Sequence, residues 1–284
     1  MRTGSILAGI DYEEGTESVL AYASLFAGAL KASLHLLCVM DYLTTPPAYL
    51  SGYMEEEKKN AERKFLPLKK KLEEAGVSAA LEVVIGRLHE SFSSVIRRER
   101  PGMLFLGFRS HTFRRSSSET LIKGLEVPIL VVRGEKAGAA RIGSARIRKI
   151  LCPTDFSASS RKALEKATEL ASLFSSEMTV VHVFPGSAIG KKMEAWEERD
   201  RAVEELSRQA ADAMERFLSD ADAGAGGVVT EGEPHRTIAS FSAENDIDLI
   251  VMGARGLSFI KEMLIGSVTD AVLKSSPCPV LVIH

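Results

Sequence analysis

The sequence predicts an α/β protein made of two similar doubly wound, five-stranded parallel sheets, each with strand order 3-2-1-4-5. Three observations carry this. The 284-residue chain repeats itself. Within each copy, short apolar runs of strand length alternate with segments whose apolar residues recur at helical spacing, the pattern of βαβ units. The strand-like runs are apolar almost throughout, as in sheets covered on both faces.

The repeat is read by offset. SILAGIDYEEG, from Ser5, matches KILCPTDFSAS, from Lys149, and Asp11 falls on Asp155, 144 residues later. LHLLCVM falls on MTVVHVF at the same offset, FLGFR on VMGAR at 146, and PILVV on PVLVI at 151. Two copies of this length are two domains, expected at 1–134 and 147–284. Between them, residues 135–146 lie in a stretch rich in Gly, Ala and Arg without an apolar period, the composition of a linker.

In the second copy KILCPTD is the first strand. SSRKALEKATELASLF follows with Ala163, Leu164, Ala167, Leu170, Ala171 and Phe174 on one helical face. TVVHVF is β-branched and reads as a strand. Residues 191–219 read as a charged helix with Trp196, Val203, Leu206, Met214 and Phe217 inward. GVVTEG is a strand, HRTIASFSAEN a helix, DLIVMG a strand, SVTDAVLKSS a helix and PVLVI the last strand. Right-handed crossovers wind these elements into one sheet.

Composition narrows the function classes. A net charge of −2 implies no nucleic-acid partner from bulk charge. No apolar run approaches the ~20 residues of a membrane span, so none is expected. The N-terminal apolar run is too short for a signal peptide. Cys38, Cys152 and Cys278 are widely spaced without a CxxC pair, which argues against a disulfide framework or zinc and fits a reducing cytoplasm. No metal-ligand cluster and no Ser-His-Asp or Cys-His arrangement emerges from the spacing, so no catalytic residue is assigned.

In a doubly wound sheet, ligands sit outside the carboxyl ends of the strands where the order reverses, here between the first and fourth strands. In the second copy that point brings together Pro153-Thr154-Asp155 and Met252-Gly253-Ala254-Arg255-Gly256. Glycines let backbone N–H groups approach a ligand and permit positive φ. Gly266-Ser267 opens a helix, whose N-terminal N–H groups attract an anion; Ser267 and Thr269 add hydroxyls. Asp155 is an acceptor for a ribose hydroxyl or a base amino group. The spacing is neither a P-loop nor G-x-G-x-x-G.

Gly253-x2-Gly256-x9-Gly266-Ser267, with the PTDFS element at Pro153 and GSVTDAVLKSSPCPVLVI at the C-terminus, resembles the ATP-binding signature of the universal stress protein (UspA) family. Both copies resemble it over nearly their whole length, so the chain is similar to a tandem universal stress protein. The resemblance implies a Rossmann-like, adenine nucleotide alpha hydrolase-like fold. It implies that Pro153, Thr154 and Asp155 lie at the adenosine and that Val183 touches the adenine. Met252 would line the site, and Gly253 and Gly256 would meet ribose and phosphates. Gly266, Ser267 and Val268 would hold phosphates, and Arg255 is a further, charged candidate. The implied cofactor is ATP, with Mg²⁺ as a companion. The implied role is a stress-response sensor or regulator acting through ATP-dependent conformation or partner binding. A weak ATP hydrolase or adenylyl-transfer enzyme is the alternative, although no base is evident. The resemblance also implies pairing of the two last strands within the chain, leaves homodimerisation open, and leaves the protein partner unnamed.

The first copy departs from the signature. It keeps Asp11 and Gly107, but Ser110 stands for Gly256, Arg115 for Gly266, and the loop is five residues shorter. Arg109, Arg114, Arg115 and Ser116 to Ser118 remain as anion-attracting groups, read here as a solvated basic loop. One well-formed nucleotide site per chain is therefore expected, in the second copy. His89 and His235 are read as polar helix starts, His35 and His182 as strand residues facing a helix layer or an edge, and residues 55–59 as a solvated helical face.

Overall fold

The computed structural model describes residues 4–11, 15–40, 51–108, 117–133, 138–185, 196–221, 224–256 and 265–284, with the backbone alone at 51, 117–120 and 196–199. It divides into two compact units, Met1–Arg146 and Ile147–His284. The first contains β1 (Ser5–Gly9), α1 (Thr16–Leu30), β2 (Ser33–Met40), α2 (Ser51–Glu74), β3 (Ala79–Ile85), α3 (Leu88–Glu99), β4 (Met103–Gly107), α4 (Ser117–Gly124) and β5 (Ile129–Val132). The second contains β6 (Lys149–Pro153), α5 (Ala158–Phe174), β7 (Glu177–Phe184), α6 (Trp196–Ser219), β8 (Gly226–Glu231), α7 (Pro234–Glu244), β9 (Leu249–Gly253), α8 (Ser267–Ser275) and β10 (Val280–Ile283).

All strand pairings within each unit are parallel. In the first, β1 lies between β2 and β4, β2 pairs with β3, and β4 with β5. In the second, β6 lies between β7 and β9, β7 pairs with β8, and β9 with β10. Each unit therefore has the order 3-2-1-4-5, with its reversal between the first and fourth strands. Side-chain burial follows from this order. Every residue of β9 and four of five in β6 are buried, whereas β8, at the edge, is exposed or half-buried along its whole length. A central parallel strand covered by helices on both faces has no wet side, which is why LIVMG and KILCP read as continuous apolar runs.

The helices take the expected faces. α5 buries Ala163, Leu164, Ala167 and Leu170. α6 buries Met214 and Phe217 and half-buries Val203 and Leu206. The side chain of Trp196 and residues 191–195 lie outside the described residues. In the expected linker, the Ser18 hydroxyl donates to the Gly138 carbonyl at 3.0 Å, and Arg141 pairs with Glu17 at 3.5 Å, so residues 138–146 pack within the first unit.

No helix among the described residues is long and apolar enough to cross a membrane. Cys38, Cys152 and Cys278 are buried thiols. Burial pushes the Cys152 thiol up to about 12, and burial followed by the Asp11 carboxylate pushes Cys38 up to about 11.

Candidate functional site

The carboxyl ends of β6 and β9 enclose a cavity of about 140 Å³ in the second unit. All eleven residues that the resemblance implies line it: Pro153 at the end of β6 with Thr154 and Asp155 after it, Val183 on β7, Met252 and Gly253 at the end of β9 with Arg255 and Gly256 after it, and Gly266, Ser267 and Val268 at the start of α8. Three apolar lining residues escaped the sequence reading: Val181, Pro234 and Ile238. Val181 was legible, because period two puts it on the face of Val183. Ile238 is an inward position of the helical pattern in HRTIASF, but no sequence signal says that its neighbour is empty space.

The loop after β6 is built on short polar side chains. The backbone N–H of Thr154 donates to the Val181 carbonyl at 2.8 Å, continuing the β6–β7 pairing past the strand end. The Thr154 hydroxyl accepts from the Phe156 N–H at 3.0 Å and donates to Ser160 Oγ at 3.0 Å. It is buried and holds the loop, while its residue still lines the cavity. Asp155 Oδ1 accepts from the Ser157 N–H at 3.1 Å, a local side-chain turn. Ser157 then caps α5 by accepting from the Ser160 N–H at 3.2 Å. The capping role thus falls to Ser157, and Asp155 sits at the crevice.

The three glycines of the loop after β9 differ in what they do. None has a positive φ, so the conformational reason offered by the sequence does not apply to them. A Cβ on Gly253 would meet Ser159 Oγ at 2.5 Å and the Ser159 backbone at 2.9 and 3.0 Å. Gly253 is required by the close packing of β9 on α5. A Cβ on Gly256 would lie 2.5 Å from Asp155 Oδ2, so this glycine makes room for the carboxylate across the crevice. A Cβ on Gly266 would meet nothing closer than 3.6 Å. Gly266 is the N-cap of α8 and has no side-chain cap, and its own N–H donates to the Ala254 carbonyl at 2.7 Å.

At the start of α8, Ser267 is exposed and Val268 half-buried. Thr269 corrects an expectation. Its hydroxyl does not face outward as an anion donor: it is buried and donates to the Gly253 carbonyl at 2.9 Å, tying α8 to the end of β9. The first turn of α8 lines the cavity, and the first intrahelical bond there is from Asp270 N–H to the Gly266 carbonyl. Arg255 is half-buried at the cavity, its N–H 3.4 Å from Ser159 Oγ.

At the matching place in the first unit, large side chains press on the end of β1 among the described residues. The Ile10 N–H donates to the Leu37 carbonyl as Thr154 does to Val181, so the backbones correspond. A Cβ on Gly9 would lie 2.7 Å from Leu106 Cδ2 and 2.8 Å from Phe92 Cζ. By the offset of 146, Phe92 stands where Ile238 stands and Leu106 where Met252 stands. Both are buried, as is Ile10 in place of Thr154. Asp11 accepts from the Thr16 hydroxyl at 2.9 Å. The basic loop, Arg109 to Ser116, lies outside the described residues, as do the side chains of Ser117 and Ser118.

The histidines are structural neighbours of other groups. His35 Nε2 lies 2.9 Å from Glu82, and His89 Nε2 lies 3.2 Å from the Gly124 carbonyl. His235 lies 3.5 Å from Glu233 beside the start of α7. His182 Nδ1 donates to the Thr154 carbonyl at 2.8 Å, next to the crevice.

Comparison with known proteins agrees with this architecture. The sequence model of the Universal stress protein family matches residues 3–133 and again 146–284. Universal stress protein MJ0577 of Methanocaldococcus jannaschii is 31% identical over 156 residues, covering 49% of this chain and 96% of its own. Universal stress protein YxiE of Bacillus subtilis is 31% identical over 145 residues, covering 48% of this chain and 98% of its own. The crystal structure of a universal stress protein from Archaeoglobus fulgidus superposes with a TM-score of 0.73 at 22% identity, covering 100% of this chain and 99% of that one, a likeness of fold.

Proposed function

The chain belongs to the universal stress protein family, and on that premise we propose that its second unit binds an adenine nucleotide, ATP, in the crevice between β6 and β9. The observation that carries this is the convergence on one cavity of Asp155, Gly256 and the open first turn of α8, from three separate segments. The apolar side, Val181, Val183, Ile238 and Met252, receives the base. Asp155 accepts from a ribose hydroxyl. The N–H groups of Ser267 and Val268, the Ser267 hydroxyl and Arg255 meet the phosphates. At about 140 Å³ the cavity is smaller than the ~300 Å³ at which sites begin to bury most of a drug-sized ligand, so it encloses the base end and leaves the phosphates at the mouth. A Mg²⁺ ion accompanying ATP would be held chiefly by phosphate oxygens and water. Among the described residues no group of three or more His, Cys, Asp or Glu side chains is placed to hold it.

ATP occupancy acts as the signal: the protein is a stress-response sensor or regulator in the cytoplasm whose conformation or partner choice follows the state of this site. The first unit serves as an interaction module. The test has two parts. Denaturation of the purified protein and identification of released nucleotide should find an adenine nucleotide. Calorimetry should find ATP binding to the wild type and none to Gly256→Val, whose branched side chain would displace the Asp155 carboxylate from the crevice. Unchanged affinity in that variant would overturn the site. Turnover of ATP above background with a defined pH optimum would replace the sensor with a hydrolase.

A further inference from the structure

Phe156 has a left-handed backbone, φ 63°, which disfavours any residue with a Cβ. Four other described non-glycine residues share the sign: Lys31, Arg100 and Ser175 cap the C-termini of α1, α3 and α5, and Asp246 follows the cap of α7. Helix C-termini recruit that conformation routinely. Phe156 instead lies between a strand end and a helix start, directly after Asp155, and it does not line the cavity. A strained residue beside a site persists only where its surroundings hold it.

Those surroundings are aromatic. The Phe156 ring stacks on His182 of β7, with centroids 4.4 Å apart and planes at 29°. It meets Phe217 of α6 edge-on at 5.5 Å and 72°, within the range of favourable aromatic pairs. Arg161 of α5 lies over the other partner, Phe217, at 5.0 Å. His182 is itself anchored to the Thr154 carbonyl at 2.8 Å. The clamped residue sits amid the two bonds that set the loop: Phe156 N–H to Thr154 Oγ1 and Ser157 N–H to Asp155 Oδ1. Leaving φ 63° would turn the Ser157 N–H away from Asp155 Oδ1 and remove that bond to the carboxylate across from Gly256.

We propose that Phe156, held by His182 and Phe217, is a positioning residue that fixes Asp155 in the crevice and ties the site to α6. The role for ATP rests on the nucleotide reading above; the positioning does not. Two substitutions separate backbone from ring. Phe156→Ala removes the ring and keeps the penalty for left-handed backbone, while Phe156→Gly removes both. In Phe156→Ala the Ser157 amide should exchange with solvent faster and ATP affinity should fall about tenfold, the scale of a left-handed penalty no longer offset. Phe156→Gly should recover most of both losses, because glycine adopts this φ without a clamp. Phe217→Leu, which keeps apolar volume on α6, should move both readouts in the direction of Phe156→Ala by a smaller factor.

Glycine performing no better than alanine would overturn the proposal, since the ring would then matter for packing alone. Unchanged exchange of the Ser157 amide in Phe156→Ala would overturn it as well. That amide is measured by NMR without ligand. A wild-type protein that fails to bind ATP therefore defeats the nucleotide reading, while the exchange rates still decide the clamp.

Discussion

Two glycines, one beside the switch point of each unit, end up in opposite circumstances. Gly9 closes β1 beneath Phe92 and Leu106, whose atoms come within 2.8 Å of where its Cβ would be. Gly256, after β9, faces the carboxylate of Asp155, beside a cavity of about 140 Å³. The two units share strand order, register logic and the backbone bond from the first residue past the first strand to the second strand. What differs is side-chain volume on the α3/α7 side, where Phe92 stands for Ile238. A fold of this kind creates the crevice by topology, and the side chains decide whether it stays open.

The comparison can be broken most directly by exchanging the plug. Ile238→Phe, which gives the second unit the side chain of the first, should fill the crevice and lower ATP affinity at least about a hundredfold, roughly 2.7 kcal/mol. Calorimetry reads the affinity, and a circular dichroism spectrum checks that the fold is retained. Affinity within a factor of two of wild type would show that Phe92 is not what closes the first unit.

The glycines of the second loop sharpen it further. Gly253→Ala should destabilise the second unit by about 2 kcal/mol, because the new methyl meets the Ser159 backbone, which cannot step aside. Hydrogen exchange of β9 amides measures this. Loss of the α5 cap in Ser157→Ala should cost about 1 kcal/mol by the same measurement in α5. Gly266→Ala should cost about 0.5 kcal/mol, since the added methyl has room and only the N-cap preference is lost. A loss larger than that of Gly253→Ala would reverse the assignment of the packing glycine.

The smallest effect at neutral pH is expected of the thiols. Cys152 and Cys38 are raised to about 12 and about 11 by burial, against an ordinary value of 9.0. Both stay protonated at pH 8 and should react with a thiol reagent only at the rate at which the units open. Because the folded values lie above the unfolded ones, the unfolded chain loses these protons first. Stability should therefore be flat below pH 9 and decline as pH rises from 9 towards 11 to 12. Rapid alkylation of the native protein at pH 8 would contradict this.

Much of this was legible in the sequence, for a local reason. The 144-to-151-residue offsets, the alternation of apolar runs with helical periods and the strand count are properties of neighbouring residues, and they led to two sheets of order 3-2-1-4-5. Counting strands placed Asp155 and Gly256 on one crevice before any distance was known. The residues that the tertiary structure added or reassigned act across the sequence. Gly253 is set by Ser159, 94 positions away, and Gly256 by Asp155, 101 positions away. Thr269 spends its hydroxyl on Gly253, and Phe156 keeps its left-handed backbone against His182 and Phe217. Periodicity tells which face a side chain takes. Whether that face meets a ring, a backbone or open space depends on what packs opposite, and only the folded chain brings the two together.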